Sequence, residues 1–163
     1  MAQLIDSQDA FFTSFETKTK NRFIMYIDGI PAYTIKTSKR PSITLNVNTI
    51  DHLNINFKLK GGKTNWEDID ISLYDPIVPS GAQALMEWIR LSHESYSGRD
   101  GYADFYKKDV QIAVLGPVLD QVELWTLKGA WANKADFGDL DQSSGDPQII
   151  TATLSMDYCV LEY

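Results

Sequence analysis

The stretch Gly61-Gly62-Lys63-Thr64 ends the way a phosphate-binding loop ends. Such a loop also needs a glycine five positions before its second glycine, so that backbone N–H groups can curl around phosphates, and a helix must follow. Phe57 occupies that earlier position, and the residues after Thr64 alternate as a strand does. Lys63 is therefore expected in a Gly-rich turn, with Gly61 and Gly62 supplying positive φ without strain. Farther on, Asp139, Asp141 and Ser143 stand at the first, third and fifth places of a calcium loop. The sixth place is Ser144 rather than Gly and the twelfth is Ile150 rather than Glu, which leaves a solvated acidic loop or a subunit contact as the expectation and no metal site. Asp68 and Asp70 fall on one strand face, where paired carboxylates can do acid–base work, but a solvated face beside a lysine accounts for them more simply.

The remaining chemistry-bearing residues are few. His52 and His93 lie far apart and outside any metal-ligand spacing. Cys159 sits alone in a strand-like run, so no intrachain disulfide is possible and a small sheet residue is the simpler reading. No Gly-x-Ser-x-Gly elbow is present, and Asp136-Phe137-Gly138 lacks the Gly-rich and catalytic loops that would make it a kinase motif. The sequence supports no catalytic constellation and no cofactor site, and an enzyme is not expected. The formal charge of −7 argues against a surface built to grip nucleic acid, though not against one that nucleic acid passes without sticking. No window reaches the length of a membrane span, and the start lacks a signal peptide's basic region, so a cytoplasm-like compartment is expected.

The elements that must carry these residues read mainly as strands. At 163 residues, 44% hydrophobic, the chain is expected to form one domain, 1–163, with its own core. A short helix is expected around Asp9–Phe15, within an N-terminal segment 1–20. Phe23, Met25 and Ile27 begin a strand, and "DGIP" at 28–31 turns it into "AYTIKT". Two β-rich runs follow around Asp51 and His52; in the second, Ile55, Phe57 and Leu59 face one way. A turn centred on Lys63 would bring Lys58 opposite Asp68 and Phe57 opposite Ile69, a register in which apolar meets apolar and charge meets opposite charge. Ser80 with Gln83 starts a helix expected over about 80–96, with Ala82, Leu85, Met86, Ile89 and His93 on its packed face. Strands are expected again at 109–115, 122–131 and 149–158, around an exposed acidic loop at 133–147. Six to eight strands and one helix imply an antiparallel β-sandwich or barrel with a flanking α-helix.

In its order and spacing, the chain has further character. Pro41, the Gly-rich stretch, "NWEDIDISLYDP", "GAQALMEWIR", "FYKKDVQIAVLG", "WTLKGAWANKADFGDLD" and "QIITATLSMDY" together resemble the tail tube proteins of long-tailed bacteriophages, most closely those of T4-like contractile tails. The resemblance runs over nearly the whole chain, loosest before residue 22. It implies a β-sandwich subunit with a flanking helix, forming hexameric rings that stack into a hollow tube. It also implies a structural virion protein, assembled in the host cytoplasm and kept in the tail, with no membrane partner. The implied partners are other copies of itself, the tail sheath protein, the tape-measure protein, the baseplate and tail terminator proteins, and genomic DNA passing through the lumen without specific binding. By their alternation, Asp68, Asp70 and Ser72 are lumen-facing candidates, as are the polar faces of 122–131 and 149–158; the same residues also suit a neighbour or the sheath. The segment 42–65 is implied as a loop or hairpin touching the adjacent ring, with Asp51, His52 and Lys63 as inter-ring candidates. Cys159 and the tail "VLEY" run past the aromatic-ended strand where such chains often stop. Two alternatives stand beside this reading. One is the tube of a related injection machine, type VI or pyocin-like; the other is a monomeric β-sandwich binding module using Trp66, Trp125 and Trp131 as stacking platforms.

Overall fold

The computed structural model describes residues 14–163. Its strands are β1 (Phe23–Tyr26), β2 (Ile35–Thr37), β3 (Ile43–His52), β4 (Ile55–Trp66), β5 (Ile69–Tyr74), β6 (Lys108–Leu115), β7 (Gln121–Asp136), β8 (Ile149–Ser155) and β9 (Tyr158–Leu161). Helices α1 (Gly81–Ser92) and α2 (Ala103–Tyr106) lie between β5 and β6, and a 3-10 turn at Ala32–Thr34 leads into β2. All strand pairs are antiparallel. Seven strands follow the path β1-β6-β7-β8-β5-β2 with β9 also on β7, while β3 and β4 form a sheet of their own.

The long strand β7 joins the two halves of the larger sheet. Its first part pairs with β6 and β9, and Trp131–Asp136 pair with β8. Between these parts the register slips, and Gly129 takes φ 66. A Cβ at Gly129 would lie 2.2 Å from an Asp157 carboxylate oxygen, so only glycine allows the bend and the close approach. Strands that pass from one sheet to another through a bulge are how a sheet turns a corner and encloses a core.

Period-2 alternation then decides what is enclosed. Ile69, Ile71 and Leu73 of β5 and Ile150, Ala152 and Leu154 of β8 point inward, meeting Met25, Val110, Ile112 and Leu127 from the other half. Each fully buried aliphatic side chain of this size contributes about 1.5–3 kcal/mol. Helix α1 adds Leu85 and Trp88 to the same core, and Trp88 Nε1 donates to the Tyr106 carbonyl at 2.7 Å, tying α1 to α2. The Gln83 amide donates to Ser80 Oγ as expected of the cap, and Asp75 Oδ1 accepts from the Gly81 and Ala82 amides as well. The acid at Asp75 is a second N-terminal cap, complementary to the helix dipole.

Several local expectations change. Gly61, Gly62 and Lys63 do not turn the chain; they lie inside β4 and none has positive φ. Lys58 stands opposite Thr49 and Phe57 opposite Ile50, while Asp70 faces Thr153 across β8. The glycines make a bulge instead: Leu45 pairs with Thr64 and Val47 with Lys60. A Cβ on Gly61 would sit 2.9 Å from the Asn46 Cβ, so glycine is what lets the strands pass. After "DGIP" the chain enters a 3-10 turn, and β2 pairs with β5 rather than with β1. Helix α1 ends at Ser92, not 96, and His93 is an exposed C-cap residue bonded to Asp100 Oδ1 at 2.8 Å. The strand expected at 149–158 breaks at Met156–Asp157, because the Asp157 amide donates to the Lys128 carbonyl where β7 bends, and Tyr158 starts β9. Residues 133–136 belong to β7, which shortens the acidic loop. Of the helix expected around Asp9–Phe15, residues 9–13 lie outside the described residues, and Ser14 and Phe15 are not helical.

Two predictions follow from this packing. Gly129→Ala forces a side chain into positive φ and against Asp157, and is expected to cost about 1–3 kcal/mol, measured as a lower urea midpoint. Cys159 is buried in β9, and burial pushes its thiol up to about 11 from 9.0. The unfolded thiol ionises first as pH rises, so the thiol's contribution to stability is present below about 9.0 and is lost toward 11. The decline in stability over that window is expected to be shallower for Cys159→Ser than for the natural chain in paired denaturation series.

Candidate functional site

The outer face of β2, β5, β8 and the end of β7 is a field of short polar side chains. Alternation that buries Ile69, Ile71 and Leu73 turns Asp70 and Ser72 outward, and Asp68 precedes them on the same side. Each of the three is held by a residue of a neighbouring strand. Asp68 accepts from Ser155 Oγ and Asn133 Nδ2, both at 2.8 Å; Asp70 accepts from Thr153 Oγ1 at 2.7 Å; and the Ser72 and Thr37 hydroxyls bond one another. Thr151, Lys134 and Asp136 continue the rows across β8 and β7. The carboxylates are ordered laterally as part of a surface. Thr153 and Ser155 belong to the polar face that alternation assigns to 149–158, whereas Asn133 falls in the segment expected as a loop; only the β5–β8–β7 register brings the three to these aspartates.

The β3–β4 hairpin is a second surface, and it is unusual for its apolar content. All of β3 is exposed, as is all of β4 except Gly61 and Trp66. Ile50 pairs with Phe57, Asn48 with Leu59 and His52 with Ile55, which puts Ile50, Ile55, Phe57 and Leu59 on one side of the distal half. Nearer the base, Ile43, Leu45 and Val47 line the other side. A lone two-stranded ribbon is marginal in water, so an apolar ribbon that leaves the core calls for something to pack on. At the tip, Leu53 holds φ 54 and is 89% exposed, a backbone position that a leucine rarely takes. Asp51 and His52 flank that tip, whereas Lys63 lies at the bulge, roughly 25 Å back along the strand. The three inter-ring candidates are thus one pair and one separate residue.

The other singled-out residues are locally engaged. Asp141 accepts from the Ser143 hydroxyl and amide, which lowers its pKa, and Asp136 accepts from the Gly138 amide. Among the described residues no three His, Cys, Asp or Glu side chains converge as a metal site. Trp66, Trp125 and Trp131 are half-buried and dispersed: Trp125 Nε1 donates to Glu123, Trp131 meets the Tyr106 ring edge-on at 5.6 Å, and Trp66 packs against the core.

Glu123 is a residue the sequence reading passed over. It is buried at the start of β7, bonded to Lys18 and paired with Arg40 at 3.5 Å. Burial opposes its ionisation, but the hydrogen bonds from Lys18 and Trp125 and the charges of Lys18 and Arg40 outweigh that, and its pKa is lowered. It ties the segments before β1 and before β3 to the sheet.

No known family's sequence profile matches the chain, and no curated protein matches it in sequence. Solved structures do match in fold. The chain is similar to one in the tube-terminating cap of the anti-feeding prophage, with TM-score 0.75 and 16% identity over 97% of this chain and 99% of that one. It is similar to one in the sheath–tube complex of PVC, an extracellular contractile injection system in its extended state, with TM-score 0.69 and 18% identity over 98% and 99%. Hcp1 from Flavobacterium johnsoniae matches at TM-score 0.50 and 13% identity over 86% and 94%. Nearly the full length aligns in both directions for the first two. The chain is mainly antiparallel β with a flanking helix, and it has the tail tube fold.

Proposed function

We propose that this protein is a tube subunit of a contractile-tail particle, assembling into hexameric rings that stack into a hollow conduit. The role is structural, and no reaction is assigned to it. The observation that carries the reading is the β3–β4 hairpin: a ribbon with apolar residues on both sides, extending from a tail tube fold, is stable once it lies on a neighbouring copy. Its tip, with Asp51, His52 and Leu53, would reach the adjacent ring, and Lys63 would meet a neighbour nearer the subunit's body.

The finer reading is a phage tail tube that conducts genomic DNA, with the sheath outside it and the tape-measure protein within during assembly. The wall of Asp68, Asp70, Ser72 and their hydroxyl partners would then face the lumen. The aspartates are bonded to neighbouring hydroxyls with Lys134 among them, and a chain of formal charge −7 repels phosphates when it repeats around a channel. A second reading is the tube or tube terminator of an injection particle that carries protein or nothing; it is favoured by the assemblies that hold the similar chains, a tube-terminating cap and a sheath–tube complex.

Electron microscopy of concentrated purified protein tests the main reading: hollow tubes or stacked rings are expected, and a protein that stays monomeric at every concentration and is absent from purified particles would refute it. Phe57→Lys, which charges the exposed side of the hairpin, is expected to leave the monomer's melting temperature unchanged and to abolish stacking. In a particle that ejects DNA, Asp68→Lys with Asp70→Lys is expected to slow ejection by about tenfold or more, as attraction replaces repulsion along the path; an unchanged rate would remove these aspartates from the lumen.

A further inference from the structure

An acidic chain has gathered part of its scarce positive charge in one place. Lys18, Lys20, Arg22, Lys39 and Arg40 surround a cleft of about 360 Å³ between the segment before β1, the segment before β3 and the face of β6 that carries Ile112 and Val114. Glu123 answers Lys18 and Arg40; among the described residues no carboxylate pairs with Lys20, Arg22 or Lys39. The cleft is apolar in its interior, where Phe23, Ile112 and Val114 line it. Two of its residues, Thr19 and Ser38, hold buried hydroxyl oxygens without a hydrogen-bond partner among the described residues. An anionic group with an apolar residue beside it would satisfy all three features: charge for the rim, burial for the interior and an acceptor for the hydroxyls.

The same chain carries a segment of that character. The β7–β8 loop has Asp139, Asp141 and Asp146, adjoins Asp136, and contains no lysine or arginine between Phe137 and Gln148. Its side chains are exposed from Gly138 to Pro147, and Leu140 stands 92% exposed between two aspartates. The cleft and the loop sit at opposite ends of β7, one beside Glu123 and the other after Asp136, with about 40 Å of strand between them. Among the described residues no hydrogen bond or ion pair joins the loop to the cleft within one subunit. Complementary patches at opposite ends of a molecule make a head-to-tail contact, which closes a ring or propagates a stack.

We infer that the cleft between Lys18–Phe23, Ser38–Arg40 and β6 receives the acidic loop Phe137–Gln148 of a second copy of this chain, with Leu140 on its apolar interior and Asp139 and Asp141 against Lys20, Lys39 and Arg40. The loop is the better match within the chain, because it offers four carboxylates with Asp136 against two, Asp6 and Asp9, in residues 1–13. Electrostatic pairing of this kind steers encounter and fixes which patches meet, while the apolar residue adds the short-range contact. The inference rests on the chain being a self-assembling tube subunit, and it gives that assembly a directional contact separate from the hairpin.

Disulfide trapping tests it on the full chain. In a Cys159→Ser background, one preparation carries Lys39→Cys and another Gln142→Cys; the two are mixed, oxidised and run on non-reducing gels. The cross-linked heterodimer is expected to exceed by about tenfold that of a control mixture of Lys39→Cys with Tyr96→Cys, and to fall as salt screens the pair. Adding Lys20→Glu and Arg40→Glu to the first partner is expected to remove the excess, and Asp139→Lys with Asp141→Lys on the second to restore it; circular dichroism checks that each variant is folded. Yield no higher than the control, or yield indifferent to charge reversal, overturns the inference, including the case in which another partner or residues 1–13 fill the cleft. Microscopy of the same samples separates the two levels: tubes that survive charge reversal reject the cleft contact and keep the tube subunit, whereas specific cross-linking without rings or tubes keeps the contact and rejects the tube.

Discussion

The bend of β7 at Gly129 is the constraint on which the rest of this subunit depends. One strand of 16 residues must serve both halves of the sheet, and it does so by slipping register and taking a positive φ beside the Asp157 carboxylate. Lys107 holds Asp157 from the other side at 2.8 Å, and the Asp157 amide donates to the Lys128 carbonyl. This cluster also breaks the last strand in two, so that β8 follows one half of β7 and β9 the other. Without the bend, the inward faces of β5 and β8 would have no opposite wall in Met25, Val110 and Ile112.

Once the core is closed, whatever lies outside it becomes an interface with water or with another molecule. The β5–β8 face resolves this by pairing its carboxylates with hydroxyl and amide donors across strands, leaving a polar surface. The hairpin resolves it differently. Its register is firm along the ribbon, with only the Gly61–Lys63 bulge interrupting it, yet its apolar side chains face away from the core. A surface of that kind gains from burial and little from exposure, which is the energetic basis for reading the chain as one copy among many.

Charge would add direction to the proposed assembly. With a formal charge of −7, uniform self-repulsion would oppose polymerisation, but the charge is not uniform: cations surround one cleft and carboxylates fill one loop at the far end of β7. The inferred head-to-tail arrangement would bring unlike patches together and keep like patches apart, so the charge distribution favours an ordered contact.

The sequence by itself determined the faces. Alternation in Ile69–Tyr74 and Ile149–Ser155 separated the buried side chains from Asp70, Ser72, Thr151 and Thr153, and the Ser80–Gln83 pair located the start of α1, because these signals are local and depend on one element's period. It also marked 42–65 as two β-rich runs around Asp51 and His52. The partners were decided only by tertiary structure. The run from Phe57 to Ile69 supports a hairpin about Lys63 as well in charge and polarity as the pairing the molecule adopts, and what selects between them is β8, some eighty residues later, which takes β5 for itself. His93 fits the apolar stripe of α1 by spacing, yet the helix ends before it and Asp100 draws it to the surface. The Lys18–Glu123–Arg40 tie, the cleft around it and the partners of Asp68 likewise join residues far apart in the chain. Periodicity fixes which way a side chain points; only the closed sheet fixes what it meets.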